Sequence, residues 1–382
     1  MRVPIEEVDV VVVGGGPVGL FLGCELAMRG VRFVVLEQEQ APRRHSRSIG
    51  LHPPALEHFA RLGLTTALLQ RGVRVKRGTV FGDRELLGEL EFHGVSQEFP
   101  FVLLLPQYET EQLLEAHLER LSPGALRRGA RTVQVRDGRE AAFVTYEAAW
   151  GTRTLRAGLV VGADGKRSLV RRNAHIDFVG GAYPDRYLMG DFLDTTAYKS
   201  AAVIHLAMAG VVESFPLPGG VRRWVVRTEA GDGADVAALC ALIFERTGHF
   251  VSVSSCRMFS AFGVARHLAE RFVVGRVVLV GDAAHEVSPI GGQGMNLGWL
   301  DAAELAEIVP RALKGHQPVE RTLQGFAVRR RRRAYFAARQ AEFNMAFGRP
   351  WRSAWWRDFV VKRLLRPPFR ALLARLFTMR WL

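Results

Sequence analysis

The sequence predicts an α/β fold: a parallel-sheet domain interleaved with a β-sheet domain, followed by a basic helical tail. Three observations predict it. Asp9 to Val13 is a β-branched apolar run that breaks into glycines, then into a helical pattern and a second apolar run. Val277 to Val280 repeats the buried-strand pattern far along the chain. Between them, Tyr183 to Phe262 carries short strand-like runs with Pro and Gly turns, such as Pro216 to Gly220.

Each element follows from local chemistry. The helix after the first strand runs from Leu20 to Arg29 and stops at Gly30. Val31 to Leu36 is the second strand, which completes a βαβ unit. Leu56, Phe59, Ala60 and Leu62 share a helical face ended by Gly63. Val73 to Phe92 reads as a hairpin region with turn signals at Gly82-Asp83 and Gly88. Leu103 to Leu105 and Leu159 to Val161 are strands, Thr110 to Leu121 and Leu297 to Val309 helices. We expect residues 1–75, 105–172 and 271–328 to form the parallel-sheet domain, 76–104 and 173–270 the β-rich domain, and 329–382 the tail.

The loop between the first strand and helix reads G-x-G-x-x-G, at Gly14, Gly16 and Gly19, with Pro17 inside it. Gly14 permits a tight turn, Gly16 a close approach to a pyrophosphate, and Gly19 close packing of helix on strand. The helix N-terminus adds free N–H groups and a positive dipole end. Glu37, at the end of the second strand, can accept hydrogen bonds from both ribose hydroxyls and would repel a 2′-phosphate. The domain is therefore Rossmann-like and holds an unphosphorylated adenosine dinucleotide. This loop alone does not separate NAD from FAD.

Two later segments do. Val160-Val161-Gly162-Ala163-Asp164-Gly165-Lys166-Arg167-Ser168-Leu169-Val170-Arg171 resembles the D-G motif of flavoprotein monooxygenases. Val278-Leu279-Val280-Gly281-Asp282-Ala283-Ala284-His285 resembles their second FAD motif, continuing through Pro289-Ile290-Gly291-Gly292-Gln293-Gly294-Met295-Asn296 to Asp301-Ala302. Arg47 to Pro53 looks like the family's arginine loop, and Gln107 like its flavin-contacting glutamine. Over roughly residues 8–310 the chain resembles the para-hydroxybenzoate-hydroxylase-like class of single-component FAD monooxygenases, the aromatic-ring hydroxylases, without their thioredoxin-like C-terminal domain.

The resemblance implies FAD as cofactor, NADPH or NADH as transient electron donor, and O2 as co-substrate. It implies hydroxylation or epoxidation of a phenolic, quinonoid or polyketide-like substrate through a flavin hydroperoxide. It also assigns cofactor contacts to Gly14, Gly16, Pro17, Gly19, Glu37, Arg47, Gln107, Gly162, Asp164, Gly165, Arg171, Gly281, Asp282, Pro289, Gly292, Gly294, Met295 and Asn296. Asp282 would accept bonds from ribityl or ribose hydroxyls; Asp164 and Arg171 would serve both nucleotides, or Asp164 would pair with a neighbouring arginine. Pro289, Gly291 and Gly292 would face the flavin ring, with a helix N-terminus favouring the anionic reduced ring. No catalytic base is assigned: His205, His249 and His285 are open candidates, each matched by a core or surface reading. Arg222, Arg223 and Trp224 read as an exposed charged face, with pocket lining as the other reading.

A prenyl-lipid reductase of the geranylgeranyl-reductase type shares these motifs and is the alternative. A flavin halogenase is disfavoured, because no W-x-W-x-I-P segment occurs. A membrane- or nucleic-acid-binding protein with a relic nucleotide fold is the rival from another class.

The charge sits at one end. Residues 329–382 hold 15 Lys+Arg against Glu342 and Asp358, so they carry nearly all of the net +14. Arg329 to Arg333 lie in a helical pattern; Trp351, Trp355, Trp356 and Phe359 follow, then Phe369, Leu372, Leu373, Leu376 and Phe377 at helical spacing. Such a tail either packs on the body with a solvated basic face or lies on an anionic membrane surface and takes a lipophilic substrate from it. Nucleic acid is disfavoured, since no recognition fold accompanies the charge. Cys24, Cys240 and Cys256 have no pairing or metal-ligand spacing, so we expect no metal. With no signal-peptide pattern and no membrane-spanning run, the expected location is cytoplasmic, peripheral at the inner face of the membrane if the tail binds it. The oligomeric state and the particular substrate are not written in these motifs.

Overall fold

The computed structural model describes residues 5–42, 48–83, 85–229, 232–315, 317–351 and 353–381. Five strands lie parallel, in the order Val277–Leu279, Gly151–Gly162, Glu6–Val13, Phe33–Glu37, Leu126–Arg128. Their side chains are buried on both faces, as an unbroken β-branched run requires: Val10, Val11 and Val12 are fully enclosed. Helix Pro17–Met28 packs on this sheet between helices Gln107–Leu121 and Gln293–Lys314. It is buried from Gly19 through Leu26, which is why it shows no polar face in sequence.

A second sheet has eight strands, running from His285–Glu286 at one edge through Met258–Ala269, Phe178–Leu193, Val221–Thr228, Gly210–Leu217 and Ala202–Ala207 to Arg77–Phe81 and Leu86–Glu91. The 73–92 region divides between two sheets. Val73–Val75 pairs with Val102–Leu104 in a small separate sheet, and only Arg77–Phe81 and Leu86–Glu91 form a hairpin. Gly88 is not a turn, contrary to its sequence reading. It lies within a strand, where a Cβ would sit 3.1 Å from Leu365 of the tail. The β-rich region also contains an unanticipated helix, Val236–Thr247. Asp235 caps it by accepting from Ala238 N–H at 2.8 Å, and Gly248 ends it in the left-handed conformation. It covers the sheet face carrying Leu188, Phe192, Trp224 and Val226.

The tail forms helices Val319–Gly348, Ala354–Leu364 and Phe369–Phe377, and it packs on the body. Val361, Leu365 and Ala374 join the core formed by Leu87, Leu90 and Val95. The arginine run is not uniformly solvated. Arg330 is buried and donates to the equally buried Asp301 Oδ1 at 2.6 Å. Asp301 Oδ2 in turn accepts from Gly281 N–H at 3.0 Å and contacts His285 Nε2 at 2.6 Å. Burial pushes the Asp301 carboxyl up, but His285 and Arg330 outweigh it and hold it below its ordinary value.

Removing one partner of a buried ion pair strands the other charge. Arg330→Leu should therefore lose about 3–5 kcal/mol in chemical denaturation, whereas Arg332→Leu, on the exposed face, should stay within about 1 kcal/mol of the parent.

Candidate active site

One cavity of about 1290 Å³ joins the parallel sheet to the second sheet and the tail. At one end are Gly14, Gly15, Gly16 and Pro17, with Glu37 beside them. The three glycines behave differently. A Cβ on Gly14 would lie 2.4 Å from Ala163 O, and one on Gly19 1.9 Å from Gly14 O. A Cβ on Gly16 would meet no protein atom within 4 Å, and its φ of −77° suits any residue. Gly14 and Gly19 are thus demanded by the fold, while Gly16 opens onto empty cavity. The first-turn N–H groups of helix Pro17–Met28 point there, with no acid in that turn to compete for them. Glu37 accepts from Gly15 N–H at 2.7 Å and Glu39 N–H at 2.8 Å. Its remaining lone pairs can still receive hydroxyls. This cradle fits a dinucleotide pyrophosphate and its ribose.

Other predicted residues reach the same wall: Gln107, Asp164, Gly165, Asp282, Pro289, Gly291, Gly292, Gly294 and Met295. Gln107 donates to Glu111 at 2.6 Å. Asp164 accepts from Leu169 and Val170 N–H groups, at 2.7 and 3.2 Å, and so caps a short helix. Asp282 opens into the cavity, and enclosure by protein raises its pKa; among the described residues no hydrogen bond engages it. Gly291 and Gly292 both have positive φ, +94° and +67°, and lead into helix Gln293–Lys314. The tail braces this loop: Ser288 Oγ donates to Met345 Sδ at 3.3 Å.

Five predicted residues lie behind the wall instead. Gly19, Gly162 and Gly281 sit at close strand–helix contacts. Arg171 donates to Ala283 O and Lys166 O, both at 2.8 Å, and covers the Phe178 ring at 3.7 Å. It thereby ties the Asp164 segment to the Asp282 segment. Asn296 is buried with both ends of its amide engaged: it donates to Gly50 O and Gly292 O and accepts from His52 N–H, each at 2.9 Å. Arg47 lies outside the described residues.

The other half of the cavity is apolar, floored by the second sheet and walled by tail residues Val361, Leu365, Leu373 and Phe377. The histidine candidates are elsewhere. His205 and His249 flank the Tyr198 hydroxyl, at 3.3 and 2.6 Å, and strand alternation turns His205 away from the cavity-lining Ile204. His285 is sealed behind Asp301. Arg222, Arg223 and Trp224 are buried, which corrects the exposed-face reading. Register supplies the reason: Arg223 stands opposite Asp191 and binds it through two bonds, at 2.6 and 2.8 Å. Arg223 lines the cavity. Sequence reasoning missed His52, Tyr187 and Glu213, which also line it. Burial pushes the His52 imidazole down to about 4, so it is neutral. A lone acid between apolar alternating positions, Val211 and Phe215, was the available signal for Glu213.

A Rossmann-like cradle opening into an apolar chamber has the arrangement of a dinucleotide-cofactor site. Residues 7–341 match the family model described as FAD binding domain, and the chain belongs to this family. It is 37% identical over 327 residues to a rifampicin monooxygenase of Streptomyces venezuelae, covering 81% of this chain and 65% of that one. It is 31% identical over 344 residues to a para-nitrophenol 4-monooxygenase of Pseudomonas sp., covering 86% and 84%. The crystal structure of p-nitrophenol 4-monooxygenase from Pseudomonas putida has the same fold, with a TM-score of 0.88, 24% identity, and coverage of 98% of this chain and 99% of that one. The chain spans 56 to 65% of the length of the first three curated relatives it matches.

Overpacking by one methyl costs about 1–3 kcal/mol, roughly tenfold in affinity. Gly16→Ala should therefore weaken FAD binding about tenfold or more while leaving the melting temperature unchanged. Gly19→Ala should lower both. FAD titration and thermal melts on the two variants check this contrast.

Proposed function

We propose that the chain is an FAD-dependent monooxygenase. It takes electrons from NADH or NADPH and uses O2 to hydroxylate or epoxidise a phenolic, quinonoid or polyketide-like lipophilic substrate. The observation that carries this reading is the continuous cavity, which leads from the open Gly16 cradle to an apolar chamber. Relatives named for rifampicin and para-nitrophenol oxygenation support the substrate class. FAD, when bound, supplies the redox chemistry. Gly14, Gly16, Pro17 and Glu37 would hold its adenosine diphosphate part, and Gln107, Asp164, Gly165 and Asp282 would hold the middle. Pro289, Gly291, Gly292, Gly294 and Met295 would border its ring, where the N-terminus of helix Gln293–Lys314 would favour negative charge. The apolar walls exclude water. The division into a cofactor domain, a β-rich substrate domain and a distinct tail over 329–382 is proposed with this function.

Isotopically labelled O2 tests the reaction. The FAD-loaded protein, given NADPH and a panel of phenols and quinones, should place label in the product. NADPH consumption with reduction of the substrate to an unlabelled product supports a prenyl-lipid reductase instead.

A peripheral membrane role is proposed for the tail on a separate observation. No helix among the described residues is long and apolar enough to cross a membrane. Yet Trp355, Trp356 and Phe359 form an aromatic cluster exposed by 64, 59 and 54%, on a strongly cationic tail. Aromatic rings beside arginines suit an anionic bilayer interface. Changing all three to Ser should abolish flotation with anionic vesicles and leave neutral-vesicle controls and folding unchanged. Equal flotation of variant and parent would remove this role.

A further inference from the structure

The floor of the apolar chamber is one face of the eight-stranded sheet. Register places Met189, Val225, Glu213, Ile204 and Val80 side by side across five strands, all lining the cavity. Four are apolar and one is an acid. A carboxylate in such a row is costly unless something pairs with it. Among the described residues no hydrogen bond or ion pair engages Glu213; burial alone acts on its pKa, pushing it to about 7. Two strands away, the Tyr187 hydroxyl is buried without a partner, its ring stacked on Phe262 at 5.7 Å. Burial raises the Tyr187 hydroxyl above its ordinary value, and the Glu213 carboxylate adds to that shift.

The other charges around Glu213 are accounted for. Arg223, on the neighbouring strand, is held by Asp191. The tail residues that reach the cavity are all uncharged, from Phe343 to Phe377. His52, on the cofactor side, is neutral. Lys166 and Glu286, also on that side, pair with each other. One unpartnered carboxyl group therefore faces an apolar chamber, and the matching ligand is a flat apolar ring carrying an acidic hydroxyl.

We propose that Glu213 is the substrate's hydroxyl acceptor: it takes a hydrogen bond from a phenolic or enolic O–H in the chamber and receives that proton as the ring is oxidised. In the transfer the substrate O–H bond breaks and a carboxyl O–H forms. The electron pair stays on the substrate oxygen and feeds the ring. This assignment rests on the monooxygenase reading for its substrate, but its test does not depend on turnover.

The probes are β-naphthol and its methyl ether, which differ only in the O–H. Binding to the FAD-loaded full chain is followed by naphthalene fluorescence across the ionisation of Glu213. A hydrogen bond to a charged acceptor is roughly twice as strong as a neutral one, so β-naphthol should bind about tenfold tighter above the transition than below it. The ether, which cannot donate, should not tighten. In Glu213→Gln the naphthol profile should become flat. The wild-type comparison of the two probes stands even if the variant fails to fold. Parallel profiles for naphthol and ether, or a Glu213→Gln protein that keeps the naphthol profile, would overturn the assignment. Label incorporation from O2 is read separately, so loss of the Glu213 assignment leaves the reaction class intact, and the reverse also holds.

Discussion

The fold depends on a single buried carboxylate. Asp301 receives a backbone N–H from Gly281, contacts His285 and binds the guanidinium of Arg330, all without solvent. Those partners belong to the loop after the last parallel strand, to the segment leading into the second sheet, and to the long tail helix. A buried charge is tolerable only when its partners are held in place. The network therefore constrains three parts of the chain to one arrangement, and Asp282, next to Gly281, takes its position in the cavity wall from it.

The cavity exists because three units meet there, and none of them encloses it alone. The parallel sheet supplies the glycine cradle, and the second sheet supplies the apolar floor. The tail helices close the far side through Val361, Leu365, Leu373 and Phe377. Helix Val319–Gly348 braces the loop before Gly292 through Met345, which accepts from Ser288. This explains the split character of the tail. Its aromatic residues Trp355, Trp356 and Phe359 stay outside, while Val361, Leu365, Leu373 and Phe377 complete the chamber.

Much of the cofactor side is legible in the sequence, because its signals are local. A β-branched run, a glycine spacing, an acid at a strand end and two long motifs each sit within about a dozen residues, and most of them line one wall. The difference between wall and support is not legible there. Arg171 and Asn296 belong to the same motifs as Asp164 and Met295, yet their side chains are engaged by backbone carbonyls from remote segments. The helix Val236–Thr247 has both a cap and a stop in its sequence, but its neighbours read as strands. Gly88 signals a turn because a glycine needed for room beneath Leu365 looks no different in sequence from one that bends the chain.

By itself the sequence determined the parallel βαβ unit, the dinucleotide cradle and the flavin class, since backbone geometry and hydrogen bonding impose those patterns over short spans. Only the tertiary structure decided which residues line the apolar chamber. Glu213, Tyr187 and Arg223 lie on three different strands, and a shift of one residue in any pairing would turn its side chain to the opposite face. Whether Arg223 is an exposed charge or a buried partner of Asp191 likewise depends on the register of residues 32 positions apart, as does the pairing of Arg330 with Asp301 on the packing of two helices. Such choices are set by long-range packing, which a local pattern such as the lone acid Glu213 among apolar neighbours flags but does not decide.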